Sequence, residues 1–372
     1  MPGSSRTVSV DFWRGFALLT IFFNHVPGHV FGGYTFRNFG FSDAAELFVL
    51  LAGVSAAFAY MRTLETTGAV RLTARMWLRA FQLYVAQLAL LLVAVAVVGG
   101  FAIWSGDWRM LGALHLDVLM QMPIESMVGM AMMSYQPAYL NILPLYIAIL
   151  LLAPVLVVLV HRSLLLGLGA SAALYFGSQL LHVSLPVWPN SGQWFFNPFA
   201  WQFLFACGLA IGRLIDRGVE GVGNRVLDVV AGGYLLLAAG WALAGFPVVL
   251  DLAPLPAFMW DFDKTNLSLP RLLHILALAY CVSRLPVERW LRASATIAAP
   301  LVLMGRHALP VFCVGTVLSL LAQVIRLAYD GGLPLDLVIA GVGIMVQWLV
   351  AWTLEWHRSG LKATPRRVVA AA

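Results

Sequence analysis

Charge is scarce in this sequence. Asp, Glu, Lys and Arg make up 11% of its 372 residues, where a soluble domain carries about a quarter. With 61% hydrophobic residues and a mean hydropathy of +0.86, that scarcity excludes an ordinary water-soluble domain and points to lipid. Acid is scarcer than base, 17 residues against 23. The basic residues nevertheless form no patch. They stand in short runs between apolar segments, as membrane topology requires, and this spacing argues against nucleic-acid binding. Cysteine is nearly missing: Cys207, Cys281 and Cys313 sit singly in apolar segments. Neither a disulfide framework nor metal-ligand spacing can be built from them, so no metal and no tightly bound cofactor are expected. The chain also lacks a 20–50 residue repeat and a small-residue cleavage site after its first apolar segment. That segment carries Asp11 and Arg14 near its start and reads as a retained helix, not a secretory signal.

What is present is a series of apolar runs. A span needs about 20 mostly apolar residues, and such runs fall near 10–30, 43–61, 80–103, 139–160, 163–183, 199–214, 227–246, 270–286, 299–325 and 335–356. The fold expected is therefore all-α, a polytopic integral membrane protein of about ten transmembrane helices. With the N-terminus in the cytoplasm, about sixteen Lys and Arg fall on the cytoplasmic side against five outside. This is a positive-inside bias, and it places both termini in the cytoplasm. The segment from Ser105 to Pro137 is too mixed to span and reads as an interfacial or re-entrant element on the outer side. The whole chain, 1–372, reads as one membrane domain, with a helical core over 10–356 and a short basic cytoplasmic tail over 357–372.

The stretch DFWRGFALLTIFFNHVPGHVFGGYTFRNFGFSDAAE places costly groups where lipid is expected. Charge at a helix centre costs roughly 2.5–3.5 kcal/mol per residue on insertion scales, so it marks function more often than chance. On a helical wheel at about 100° per residue, Asp11, Arg14 and His25 share one face within about 60°, and Asn24 points away. Asp11 and Arg14 then mark a cytoplasmic mouth, and His25 lies about 21 Å further along the axis. The second helix returns after a glycine-containing loop. Asp43 is a favoured N-cap there, and Glu46 lies one turn inside, near the depth of His25. His25 and Glu46 are thus candidates for a base and its orienter.

Other candidates follow from spacing. Arg71, Arg75 and Arg79 recur every four residues and form one ridge, fit either to anchor topology or to grip phosphates. FNPFAWQFLF supplies Asn197, Trp201 and Gln202, and WDFDKTNLSLPRLLHILALAY supplies Lys264, Asn266, Arg271 and His274. GRHALPVF contributes Arg306 and His307; Arg306 fits an ion pair with an acid of another helix as well as a ligand role.

DFWRG…NHVPG, FGFSDAAELFVLLAGVSAA, ILPLYIAILLLAP, FNPFAWQFLFACG, KTNLSLPRLLHILALAY and GRHALPVFCVG, taken in order, resemble the OpgC family of membrane acyltransferases, relatives of the acyltransferase 3 superfamily. The resemblance runs from about Val10 to the last helix. It implies a ten-helix protein of the bacterial inner membrane, an osmoregulated periplasmic glucan succinyltransferase. Such an enzyme moves an acyl group, succinyl in that family, from cytoplasmic acyl-CoA to a hydroxyl of a periplasmic glucan. By motif His25 matches the essential first-helix histidine, and Asp11 and Arg14 the D-x-x-R-G start; His25 is then the candidate general base, with Glu46 and Asp11 as further catalytic candidates. It puts Arg75 and Arg79 at the coenzyme A phosphates, with Arg14 on the same donor side. Asn197, Trp201, Gln202, Lys264, Arg271 and Arg306 become acceptor-binding candidates. Ala52 stands where the family pattern has Ser, and His307 where it has a small or polar residue. Both departures bear on substrate choice more than on reaction type.

The rival from another class is a multi-helix transporter or flippase, which would also hold buried charge, Pro and Gly. Against it, the sequence shows no paired halves with matching interrupted helices. A purely structural scaffold does not account for Asp11, Arg14 and His25 lining one face.

Overall fold

The computed structural model describes residues 5–219, 223–245, 252, 254–329 and 331–363. Among these residues there are helices and no strands, only one isolated bridge between Pro186 and Gln193. In chain order the helices are α1 (Ser5–Asn24), α2 (Ala44–Ser105), α3 (Arg109–Ala113), α4 (Asp117–Gln121), α5 (Pro123–Ala131), α6 (Ile142–Arg162) and α7 (Leu164–Leu180). They continue with α8 (Pro198–Asp216), α9 (Arg225–Leu243), α10 (Leu269–Ser283), α11 (Val287–Ala293), α12 (Ala295–Arg306), α13 (Ala308–Ala328) and α14 (Gly332–Ala363). Six of them, α2, α6, α8, α9, α13 and α14, are long and apolar enough to cross a membrane, and α7, α10 and α12 are shorter apolar helices. Their outward faces carry Leu92, Ile103, Leu165, Leu236 and Leu237 exposed, as a lipid-facing surface should. Of the expected basic tail, residues 364–372 lie outside the described residues.

Each expected apolar run meets a helix, with three differences that shape the site. First, α1 ends at Asn24, earlier than the run 10–30. Pro27 disfavours helical backbone in the residue before it, and Gly28 takes φ 72°, so the chain turns just after His25. Second, the runs 43–61 and 80–103 are two limbs of α2, whose helical hydrogen bonding breaks direction at Gly68 (φ 80°, ψ 175°), a conformation open to glycine alone. The Arg75 Nη1 to Thr63 Oγ1 bond of 2.8 Å shows that the limbs fold back on one another; in a straight helix those residues would stand about 18 Å apart. Third, the run 299–325 is two helices, α12 and α13, separated at His307, where φ −106° and ψ 39° leave the helical range.

Inside, buried faces of α2, α6, α8 and α13 meet in one apolar core with Phe48, Leu83, Ile149, Trp201, Phe205 and Phe312. Helices in lipid associate through close packing of small residues. At Gly305 of α12 a Cβ would stand 1.8 Å from the Asp11 carbonyl oxygen, so only glycine allows α12 this close to α1. That contact fixes Arg306 against Asp11.

The segment 105–137 forms the three short helices α3, α4 and α5, and its loop residues His115, Tyr135 and Gln136 border the space where α1 finishes and α2 begins.

Candidate functional site

The end of α1, the start of α2, the start of α6 and five of the connecting loops enclose a cavity of about 570 Å³. His25, Asn24 and Ile21 form one wall, Asp43 to Ala45 a second, Tyr135 to Ile142 a third. Arg37, His115, Asn190, Phe196 and Lys264 reach in from the loops. Asn24 and His25 both face this space, although a continuous helix would turn them apart. Ending α1 at Asn24 removes the wheel relation between them.

His25 is held by its surroundings but not by a hydrogen bond to its ring. Its Nδ1 is shut off from solvent with no partner among the described residues. The ring lies against that of Tyr139, with centroids 4.8 Å apart at 51°. Its backbone carbonyl accepts from Gln323 Nε2 of α13 at 2.6 Å. Tyr139 and His115 both adopt left-handed backbone, at φ 67° and 57°. Such conformations are strained for large side chains and cluster at functional sites. Tyr135 fixes the same wall. Burial, then the Asp117 carboxylate, push its phenol up to about 12, so it stays protonated at neutral pH and donates to the His115 carbonyl.

The expected pairing of Glu46 with His25 is absent. Glu46 is fully buried, and both of its oxygens are engaged elsewhere. Oε1 accepts from Arg271 Nε at 2.8 Å and lies 2.5 Å from its Nη2, and Oε2 accepts from the Asp43 N–H at 2.9 Å. Asp43 completes the capping box by accepting from the Ala45 N–H at 2.8 Å, while its other oxygen meets Lys264 Nζ at 2.5 Å. Two acids and two bases thus tie the N-terminus of α2 to the loop before α10 and to α10 itself. Arg271 and His274, three residues apart, both hold this junction, His274 through a 2.7 Å contact with Ser42 Oγ.

Of the acceptor-binding candidates, only Lys264 lines the cavity. Asn197, Trp201 and Gln202 are buried, with their polar atoms bonded inside the protein. Asn197 caps α8 at 3.0 Å and donates to Val183 and Asn266 at 2.8 and 2.9 Å. Trp201 Nε1 donates to the Lys264 carbonyl at 3.1 Å, and Gln202 bonds Ser171. Asn197 and Trp201 hold the loop that carries Lys264, and Gln202 ties α8 to α7. Arg271 belongs to the Glu46 junction, and Arg306 to an ion pair with Asp11 at 3.5 Å, in the manner its apolar setting suggested. Asp11 itself lies a helix length from His25. His307 bonds Glu355 of α14 at 2.9 Å.

Arg14, Arg75 and Arg79 come together away from the cavity. Arg14 and Arg79 lie within electrostatic reach of each other and of Tyr146, and Tyr60 lies within reach of Arg75, Arg79 and Tyr146. Among the described residues Arg75 and Arg79 bond only the neutral Thr63 and Gln82, at 2.8 and 3.0 Å. Arg14 has one acid, Asp11, at 4.0 Å. The cluster is close to the cavity along α6: Ile142 lines the cavity, and Tyr146, one turn on, faces the arginines. A thin aromatic layer lies beside Tyr146, with Phe48 6.3 Å from both Tyr146 and Phe312 between ring centroids.

Several of these participants were not singled out from sequence: Tyr139, Tyr135, His115, Asn190, Phe196, Tyr60 and Tyr146. Arg37 is one of the five Lys and Arg that the sequence places outside. Their signal was weak, since each is a polar or aromatic residue in a loop or at a helix end.

A family model described as OpgC protein matches residues 6–359, nearly the whole chain. The chain belongs to the OpgC family. Membership supports a glucan-modifying acyltransferase role in general terms, and the long apolar helices agree with a membrane protein. No curated protein and no solved structure matches the chain. Among the described residues no group of His, Cys, Asp or Glu is arranged to hold a metal ion.

Proposed function

We propose that this protein transfers an acyl group, succinyl in the first instance, from cytoplasmic acyl-CoA to a hydroxyl of a periplasmic glucan at the bacterial inner membrane. The observation that carries the proposal is the pairing of two polar sites one helical turn apart on α6: a cationic cluster with no carboxylate on Arg75 or Arg79, and a cavity walled by an unbonded histidine. Acyl-CoA cannot cross a bilayer, but its pantetheine arm spans about half the thickness of one. Phosphates gripped by Arg75, Arg79 and Arg14 on the cytoplasmic side would leave the thioester near Tyr146 and the aromatic layer. The glucan hydroxyl would enter from the periplasm into the cavity.

His25 acts as general base. Its Nδ1 is closed off, so Nε2 is the nitrogen left to face the hydroxyl. The hydroxyl oxygen attacks the thioester carbonyl as His25 takes its proton; the C–O bond forms, the C–S bond breaks, and the proton passes to the departing thiolate, which leaves as free coenzyme A. Tyr139 and Gln323 orient the ring and the backbone of His25. Glu46, Asp43, Lys264 and Arg271 supply a rigid mouth, and Asp11 with Arg306 braces α1 against α12. Ten passes with both termini in the cytoplasm accord with the distribution of Lys and Arg.

The test is thiol release. Purified protein in lipid nanodiscs, given succinyl-CoA and a neutral glucan oligosaccharide, should release free coenzyme A only when both are present, with a matching mass increase on the glucan. Acceptor-independent binding with no thiol release would favour a carrier.

A further inference from the structure

Asp43 is the only acid lining the cavity among the described residues, and Lys264 and Arg271 already match it, at 2.5 and 3.7 Å. Arg37 reaches into the same space and makes no hydrogen bond or ion pair among the described residues. It is not a topology anchor either, since it stands on the side opposite the basic excess. Its backbone is fixed: Thr35 Oγ1 donates to Asn24 Oδ1 at 2.7 Å, and Asn38 Nδ2 donates to the Gly32 and Thr35 carbonyls at 2.8 and 3.0 Å. The short 3-10 turn Phe36–Asn38 that carries Arg37 is therefore tied to the residue next to His25. An unmatched guanidinium carried on a fixed turn, lining the same cavity as an unbonded histidine, is a half-built anion site.

We propose that Arg37 binds a carboxylate inside the cavity, the distal carboxylate of a dicarboxylic acyl group, and so selects succinyl over uncharged acyl groups. The inference rests on the acyl-transfer reading above for its role in turnover, and on the cavity alone for the binding of the anion. In a succinyl thioester the carboxylate sits three carbon–carbon bonds from the reacting carbonyl. An acyl chain bound by Arg37 at one end thereby presents its other end toward His25. Guanidinium matches carboxylate in a planar, two-bond geometry that an acetyl group cannot use, and a site built for such bonds discriminates against a substrate lacking them. An acidic group on the acceptor is the other possible source of the same anion.

The experiment compares wild type, Arg37→Gln and Arg37→Lys in nanodiscs, with two donors, succinyl-CoA and acetyl-CoA, and a neutral glucan oligosaccharide. Arg37→Gln should lower kcat/KM for succinyl-CoA by about tenfold or more and leave acetyl-CoA within about twofold. Arg37→Lys should recover part of the loss. Equal losses with both donors, or none with either, overturn the assignment. Isothermal titration with free succinate needs no turnover: wild type should bind it and Arg37→Gln should not, and equal binding by the two overturns the carboxylate site even if acyl transfer stands. Succinate binding lost in Arg37→Gln, in a wild type that transfers no acyl group, would sink the transfer reading and keep the site. A third arm uses acetyl-CoA with a uronic-acid-containing oligosaccharide; a loss in Arg37→Gln confined to that acceptor puts the anion on the acceptor and overturns acyl selection.

Discussion

The two polar regions of this bundle are built in opposite ways. The cavity beside His25 is made from loops and helix ends, and nearly every polar group around it is locked: Asp43 and Glu46 by two cations, Thr35 and Asn38 by the loop, Tyr135 by the His115 carbonyl. The arginine cluster near Tyr146 is carried on helix interiors, and among the described residues Arg75 and Arg79 have only neutral hydrogen-bond partners. One region is preorganised and leaves His25 and Arg37 without side-chain hydrogen-bond partners among the described residues. The other holds positive charge without a matching anion. A preformed pocket fits a neutral acceptor that must be oriented, and an unmatched cationic cluster fits a polyanionic donor that brings its own counter-charge.

The contrast can be broken most sharply at His25. His25→Ala should lower acyl transfer by about 10²–10⁴-fold, the usual contribution of a general base, with the protein still inserted and acyl-CoA affinity retained. Normal glucan substitution by that variant would remove the cavity from the chemistry. The other region is probed by the double variant Arg75→Ala with Arg79→Ala. Apparent KM for acyl-CoA should rise by about 10- to 100-fold, as loss of charge-assisted bonds implies, with kcat changed far less; an unchanged KM would return both arginines to topology anchors. Glu46→Ala tests the locked mouth. Removing one partner of a buried ion pair costs about 3–5 kcal/mol, so the thermal midpoint in nanodiscs should fall clearly. A variant with wild-type stability and a shifted pH profile would instead restore Glu46 as the orienter of His25. The smallest effect is expected at Arg306→Ala. Its pair with Asp11 is half-exposed and worth under about 1 kcal/mol, so thiol release should stay near wild type; a steep loss would bring Asp11 and Arg306 into the reaction.

Much of the fold was legible because apolar runs and helix length are local properties. The Ala44–Glu46 start was legible too, since Asp43 and Glu46 carry a capping pattern in four residues. His25 stood out as a polar group in an apolar run. What the sequence hid was pairing at long range. Nothing local tells that Glu46 would meet Arg271, 225 positions away, and so not His25. The wheel misjudged Asn24 because it assumed helix past the point where Pro27 and Gly28 turn the chain. Asn197, Trp201 and Gln202 looked like ligands because polar residues at a helix start often are; here they bond the loop at 264–266 and the Ser171 hydroxyl. The wall residues His115, Tyr135 and Tyr139 lie in loops with no period to reveal them, and the φ values of His115 and Tyr139 have no sequence signal.

The central claim is that donor and acceptor enter from opposite faces and meet across the thin aromatic layer by Tyr146. Uniformly oriented proteoliposomes test it directly, with succinyl-CoA supplied only on the Arg75 and Arg79 face and glucan only on the His25 face. The account expects succinylated glucan on one side and free coenzyme A on the other. Transfer that requires both substrates on the same face would contradict it.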